Sequence, residues 1–205
     1  MIGLLQKSWK NVRPVIGYYL FFCLLFFVVS AVGRDPLYFS VVGVLLAVAP
    51  SLASLSRDEA DGWDAFAVAA GVSRARLALS RYLFALCCVA PAWAVSAALV
   101  FCAQDRLQAL AVVLFFAGAG MIAASVMLPL CLRFGVEKAR VLLIVVAILL
   151  FAAATTNGIL FFGEGRGGAE GAPHFALPCA VLAAGVLAAA VSLLAGIRIL
   201  QRKDL

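Results

Sequence analysis

Six long apolar runs, parted by short polar breaks, set the pattern of this chain. They extend from about Val15 to Gly33, Leu37 to Leu55, Tyr82 to Cys102, Leu107 to Leu132, Val141 to Phe162 and Phe175 to Ile197. Each approaches the roughly 20 residues that a helix needs to cross about 30 Å of hydrocarbon. None carries Asp, Glu, Lys or Arg near its middle, where each would cost roughly 2.5–3.5 kcal/mol. Pro178 stands in the first turn of the last run, where proline disturbs a helix least. The pattern predicts an all-α polytopic membrane protein: six transmembrane helices in one domain over 1–205.

Composition agrees. The 205 residues are 66% hydrophobic and 13% charged, against about 45–50% apolar and about 25% charged in soluble domains. A water-soluble fold is excluded. The excess of Lys+Arg, 16 against Asp+Glu 10, would suggest nucleic acid only as a bare net charge; by position it reports topology. Thirteen basic residues (Lys7, Lys10, Arg13, Arg57, Arg74, Arg76, Arg81, Arg133, Lys138, Arg140, Arg198, Arg202, Lys203) fall on one side, and Arg34, Arg106 and Arg166 on the other. The positive-inside rule then predicts a plasma-membrane protein with both termini in the cytoplasm. A cleaved signal peptide is the competing reading of the N-terminus. Against it, the first run is longer than a usual signal core, and its removal would leave five spans and invert the C-terminal Arg-Lys cluster.

Ahead of the first span, Ile2, Leu5, Trp9 and Val12 recur at spacings of three and four between Gln6, Lys7, Lys10 and Asn11. This spacing predicts an amphipathic helix over 1–14 on the inner membrane surface; the plainer alternative is a frayed basic tail. The outer loops are short, and the largest extramembrane piece is the cytoplasmic segment 56–81.

That segment is punctuated like a built corner. Asp58, Glu59, Asp61 and Asp64 crowd what reads as the opening turns of a helix, where they complement its dipole. Trp63, Phe66, Ala67 and Ala70 share one face, and Gly71 serves as the C-terminal cap. Ser73 reads as the next N-cap, with Val72 and Leu77 placed as a hydrophobic staple. Arg74, Arg76 and Arg81 are expected near the lipid head groups.

Catalytic chemistry has little to stand on. The chain lacks a phosphate-binding Gly-x-x-x-x-Gly-Lys-Ser/Thr loop, so it is not expected to hydrolyse ATP itself. Its single histidine, His174, has no metal-ligand spacing around it, and no catalytic residue, cofactor site or metal site is assigned. Thr155, Thr156 and Asn157 form the deepest polar cluster and are uncharged, unlike the ionisable relays of ion-driven pumps. The six cysteines read as small buried hydrophobes. Small-residue stripes, Ala180-Ala184-Ala188-Ser192-Gly196 and Ala90-Ala94-Ala98-Cys102, allow close helix packing, within one chain or between copies.

Three stretches carry a resemblance: DEADGWDAFAVAAGVSRARLALSRYL from Asp58 to Leu83, LPLCLRFGVEKAR from Leu128 to Arg140, and the basic end IRILQRKDL. The chain resembles the small permeases of type-2 (exporter) ABC transporters, a group that includes peptide and bacteriocin exporters and immunity transporters. Gly71 stands where that family usually has proline before Val-Ser-Arg. The resemblance implies that the 56–81 corner is a coupling helix received by a separate ATP-binding subunit, with Asp61, Trp63, Asp64, Phe66, Val72, Ser73 and Arg74 at that contact. It also implies a second permease copy, identical or different, around one pathway, and a peptide or other amphipathic substrate leaving the cytoplasm. Two other classes remain open: a non-transporting membrane anchor for a cytoplasmic ATPase, and a lipid-modifying membrane enzyme.

Overall fold

The computed structural model of the chain describes residues 2–139, 141, 145 and 175–202. These form helix α1 (Ile2–Val12), a 3₁₀ turn (Arg13–Val15), α2 (Ile16–Gly33), α3 (Leu37–Ala60), α4 (Trp63–Ala69), α5 (Arg74–Val100), α6 (Arg106–Phe134) and α7 (Ala176–Arg202). No strand occurs among the described residues. Among the described residues five stretches are long and apolar enough to cross a membrane: Gly3–Gly33, Leu37–Ala60, Arg74–Val100, Arg106–Phe134 and Ala176–Gln201. They correspond to the expected spans one to four and six. The expected fifth, Val141 to Phe162, falls almost wholly outside the described residues, as do Thr155, Thr156, Asn157 and His174.

Two of these helices run beyond the membrane spans expected of them. From Leu37 to Ala60 no glycine or proline stops the helix near its end, so α3 continues past Leu55 and takes in Arg57, Asp58 and Glu59 as its last turn. The break comes at Gly62, which adopts φ +60° and serves as N-cap to α4. Asp58 and Glu59 therefore sit at a helix C-terminus, not in the opening turn that the acidic run suggested. Helix α5 likewise starts at Arg74, well before Tyr82. Prolines 50, 91 and 129 lie inside α3, α5 and α6, a placement transmembrane helices tolerate where neighbours re-satisfy the freed carbonyls.

Helix α6 is the central post, packed on α7, α3 and α5. Its core joins Leu55 of α3 and Ala85 of α5 to Met127, Leu128 and Cys131 of α6, with Val136 and Ala139 of the next segment. Against α7 it approaches so closely that a methyl group on Gly118 would meet the Val181–Leu182 backbone at 2.7 Å. From the other side, Gly185 lies as near to the Gly118 carbonyl. Helix α2 is an outrigger on α3, with Tyr18, Phe21, Leu24 and Val32 exposed to the surroundings.

The small-residue stripes divide. On α7, Gly185, Ser192 and Gly196 are buried while Ala180 and Ala184 face outward, so the contact line is shifted from the expected register at its first half. On α5, Ala90, Ala94, Ala98 and Cys102 are all exposed, and the helix packs through Ala85, Val89, Ala92, Ser96 and Leu99 instead. The packed face is itself rich in small residues, Ala85, Ala92 and Ser96, and the expected alanine stripe lies on the opposite side of the helix. Cysteines follow the same geometry: Cys131 is buried, but Cys87, Cys102 and Cys179 are exposed on outward faces.

Candidate functional site

Helix α4 forms a corner of seven residues between the ends of α3 and α5, and its shape follows from local hydrogen bonding. At its C-terminus the Val72 N–H donates to the Ala67 carbonyl (3.0 Å) and the Gly71 N–H to the Val68 carbonyl (3.0 Å). That pair of bonds is the Schellman arrangement, which places a left-handed residue at the first position beyond the helix. Gly71 adopts φ +82°, a conformation a side chain would strain. Ser73 then caps α5, its hydroxyl accepting from the Arg76 N–H. Val72 and Leu77 meet in one apolar cluster with Ala67, Ala78, Leu132 and Leu200, joined by Trp63, Leu4 and Ile197.

Beneath α4 lies a group of buried charges drawn from four helices. Asp58, 5% exposed, accepts from Lys7 and, at 2.8 Å, from the Asn11 amide. Arg81, 6% exposed, lies 3.7 Å from Asp58 and donates to Asp64. Lys7 also stands 4.3 Å over the Trp63 ring, a cation–π contact. A cavity of about 170 Å³ opens among Asp58, Glu59, Asp64, Arg81 and Cys131. Among the described residues Nε and Nη1 of Arg81 find no hydrogen-bond partner.

Glu59 extends this system to the next turn of the chain. Its carboxylate accepts from the Val136 N–H at 2.7 Å, so it caps the helix that opens after Gly135. Gly135, at φ +82°, presses against it: an added methyl would stand 2.6 Å from Glu59 Oε1. Tyr82, next to Arg81, points the other way. Its hydroxyl donates to the Ser192 carbonyl at 2.7 Å, and the Ser192 hydroxyl donates to the Ser125 carbonyl at 2.5 Å. Consecutive residues of α5 thus hold the corner with one side chain and the α6–α7 bundle with the other.

The seven corner residues expected at a partner surface fall into two groups. Asp61 and Phe66 are exposed, Phe66 at 62%, and Trp63 is half-buried with its ring centroid 5.4 Å from that of Phe66. Asp64, Val72 and Arg74 are partly buried and engaged within the chain, while Ser73, which caps α5, is exposed. Arg74 donates to the Leu200 and Gln201 carbonyls at 3.3 and 2.8 Å, closing the C-terminal end of α7, where a cation is favoured. Of the three arginines expected near lipid head groups, Arg76 alone is exposed; Arg74 is drawn to the end of α7 and Arg81 to the acidic group. From the sequence Lys7 and Asn11 read only as polar positions of the 1–14 helix and Asp58 and Glu59 only as helix-start acids, because their partners stand 51 and 77 residues away or at similar range and no local spacing marks the pairing.

Among the described residues no group of three His, Cys, Asp or Glu side chains could hold a metal. The site is thus an exposed aromatic on a short helix whose other side contacts α1, α3, α5 and α7. In comparisons with known proteins, the family model described as "ABC-2 family transporter protein" matches residues 3–201. No curated protein and no solved structure matches.

Proposed function

Since this chain belongs to the ABC-2 transporter family and is a membrane permease subunit of an ABC transporter, we propose that α4 is the coupling helix of an ATP-driven exporter. It would sit in a groove of a separate ATP-binding subunit, on the cytoplasmic side that the basic loops indicate. The observation that carries the proposal is Phe66, a large apolar side chain 62% exposed on a seven-residue helix whose inner face is fixed by buried charge. Phe66 lies outside the stretches long enough to cross a membrane, and aromatic anchors seated in partner pockets dominate interface energetics. Trp63 supports Phe66 from beside, and Asp61 adds charge at the rim. Asp64, Val72, Ser73 and Arg74 act behind the contact, keeping the corner in shape.

The fastening suggests how motion would travel. A push on α4 moves Asp64 against Arg81 and so turns the foot of α5, while Arg74 carries the same push to the end of α7. Tyr82, Ser192 and Ser125 then tie α5 to α7 and α6 higher in the bundle. A second permease copy completes the pathway in this reading, and the substrate is a peptide or other amphipathic molecule moved outward. ATP and magnesium belong to the partner subunit.

The test is purification of the chain with its ATP-binding subunit, and measurement of partner affinity, ATP hydrolysis and transport in vesicles. Phe66→Ala should weaken the complex about 30-fold, the effect of losing a 2 kcal/mol anchor, while the permease still inserts and folds. Unchanged affinity and transport in a Trp63→Ala/Phe66→Ala variant would overturn the assignment. Hydrolysis that never depends on substrate, with no flux, would make the chain an anchor for the ATPase instead.

A further inference from the structure

On the face of α1 opposite the charge group, a groove of about 580 Å³ runs between α1, the 3₁₀ turn and α5. Its lining is Leu5, Trp9, Phe84 and Cys87, with Gln6, Lys10 and Arg13 at the polar margin. The volume lies in the range of small-ligand sites, about 300–1,000 Å³. Phe84 forms a buried floor at 4% exposure, whereas Trp9 stands 53% exposed at the rim.

The charges divide between the two faces of α1. Lys7 is turned to Asp58 and Trp63 on the corner side. Lys10 and Arg13 are exposed on the groove, and neither forms a salt bridge among the described residues. Among the described residues no carboxylate lines the groove to neutralise them. An apolar trough ending in two cations, at the point where the chain enters its first membrane-crossing stretch, fits a molecule with an apolar tail and an anionic head. We propose that this groove is a binding site for one anionic phospholipid, its acyl chain against Phe84 and Cys87 and its phosphate between Lys10 and Arg13. Tryptophan prefers the membrane–water boundary, and the interfacial helix expected over 1–14 would place Trp9 there. This assignment requires only that the chain be membrane-embedded and is independent of any ATPase partner.

The consequence is structural as well as chemical. A lipid in this groove would hold α1 against α5 from one side, while Lys7, Asn11 and Asp58 hold it against α3 from the other. The local lipid composition would then set how firmly α1 backs the corner.

Trp9 provides the readout. The chain has three tryptophans, so a full-length Trp63→Phe/Trp93→Phe variant reports from Trp9 alone. Reconstituted into vesicles with brominated acyl chains, it should be quenched by phosphatidylglycerol about tenfold more effectively, as a relative association constant, than by phosphatidylcholine; each cation near an anionic surface contributes about fivefold, less screening. Lys10→Gln/Arg13→Gln should bring the ratio close to one, and the charge-keeping Lys10→Arg/Arg13→Lys should preserve it, which separates charge from folding. Cys87→Phe, which fills the groove, should reduce quenching by both lipids. Equal quenching by both lipids in the unaltered groove would overturn the proposal, since Trp9 would then meet only bulk bilayer. So would displacement of the lipid by millimolar inorganic phosphate, or a Trp9 shielded from both lipids by a second copy of the chain.

Discussion

Replacing Arg81 with methionine removes the guanidinium that stands between two carboxylates while keeping most of the aliphatic stem packed. The side chains of Arg81 and Asp58 are each 7% exposed, Asp64 is 18% exposed and Lys7 22%. Losing one partner of a buried ion pair costs about 3–5 kcal/mol, because the remaining charge is stranded. Two features place this case at the lower end. Asp58 keeps Lys7 and Asn11, so its charge stays compensated, and Asp64 is exposed enough to turn toward water. The expected loss is therefore about 3 kcal/mol. In SDS titrations of the permease in mixed micelles, it would appear as unfolding at a clearly lower SDS fraction.

A double-mutant cycle isolates the pair. Asp64→Asn alone leaves Arg81 with Asp58 and loses one charge-assisted hydrogen bond, about 1.5–3 kcal/mol. In the combined Arg81→Met/Asp64→Asn variant the stranded carboxylate is gone, so the losses should fall short of their sum by about 1–3 kcal/mol. An Arg81→Met variant within about 0.5 kcal/mol of the parent, the range of ordinary surface substitutions, would refute the reasoning. Strict additivity in the cycle would refute the Asp64–Arg81 contact in particular.

Gly135→Ala meets both a positive φ of +82° and the Glu59 carboxylate at 2.6 Å; it should lower stability in the same titration by about 1–3 kcal/mol, the cost of a strained backbone conformer. Gly71→Ala shares the φ of +82° but meets nothing within 4 Å, so its loss should stay near 1–2 kcal/mol, and a larger effect would point to a contact on the open side of the corner. Gly118→Ala must push α7 away, since the new methyl faces backbone at 2.7 Å; overpacking of this kind costs about 1–3 kcal/mol, and an unchanged rate of cysteine cross-linking between α6 and α7 would contradict the close approach.

Helix class and placement were legible because each depends on local composition. Five of the apolar runs, the Gly71 cap and the Ser73 N-cap reappear among the described residues, as does the meeting of Val72 with Leu77. Such features need only residues within one turn of each other. The outward face of α5 was not legible, because a stripe of alanines specifies only that a helix can approach another, and α5 carries a second small-residue face, Ala85, Ala92 and Ser96, which is the one that packs.

The acidic run shows where local rules lose to tertiary ones. Read alone, Asp58 and Glu59 belong in a first turn, since a carboxylate near a helix C-terminus is unfavourable by about 0.3–1 kcal/mol. Yet nothing before Gly62 interrupts α3, and continuing the helix gives Asp58 two cations and an amide, and Glu59 a backbone donor. Charge-assisted hydrogen bonds at about 1.5–3 kcal/mol each outweigh the dipole term. The partners lie 51 and 77 residues away, beyond any spacing rule. It follows that the carboxylates read as a helix start instead bind α1, α5 and the Gly135 turn to the foot of α3.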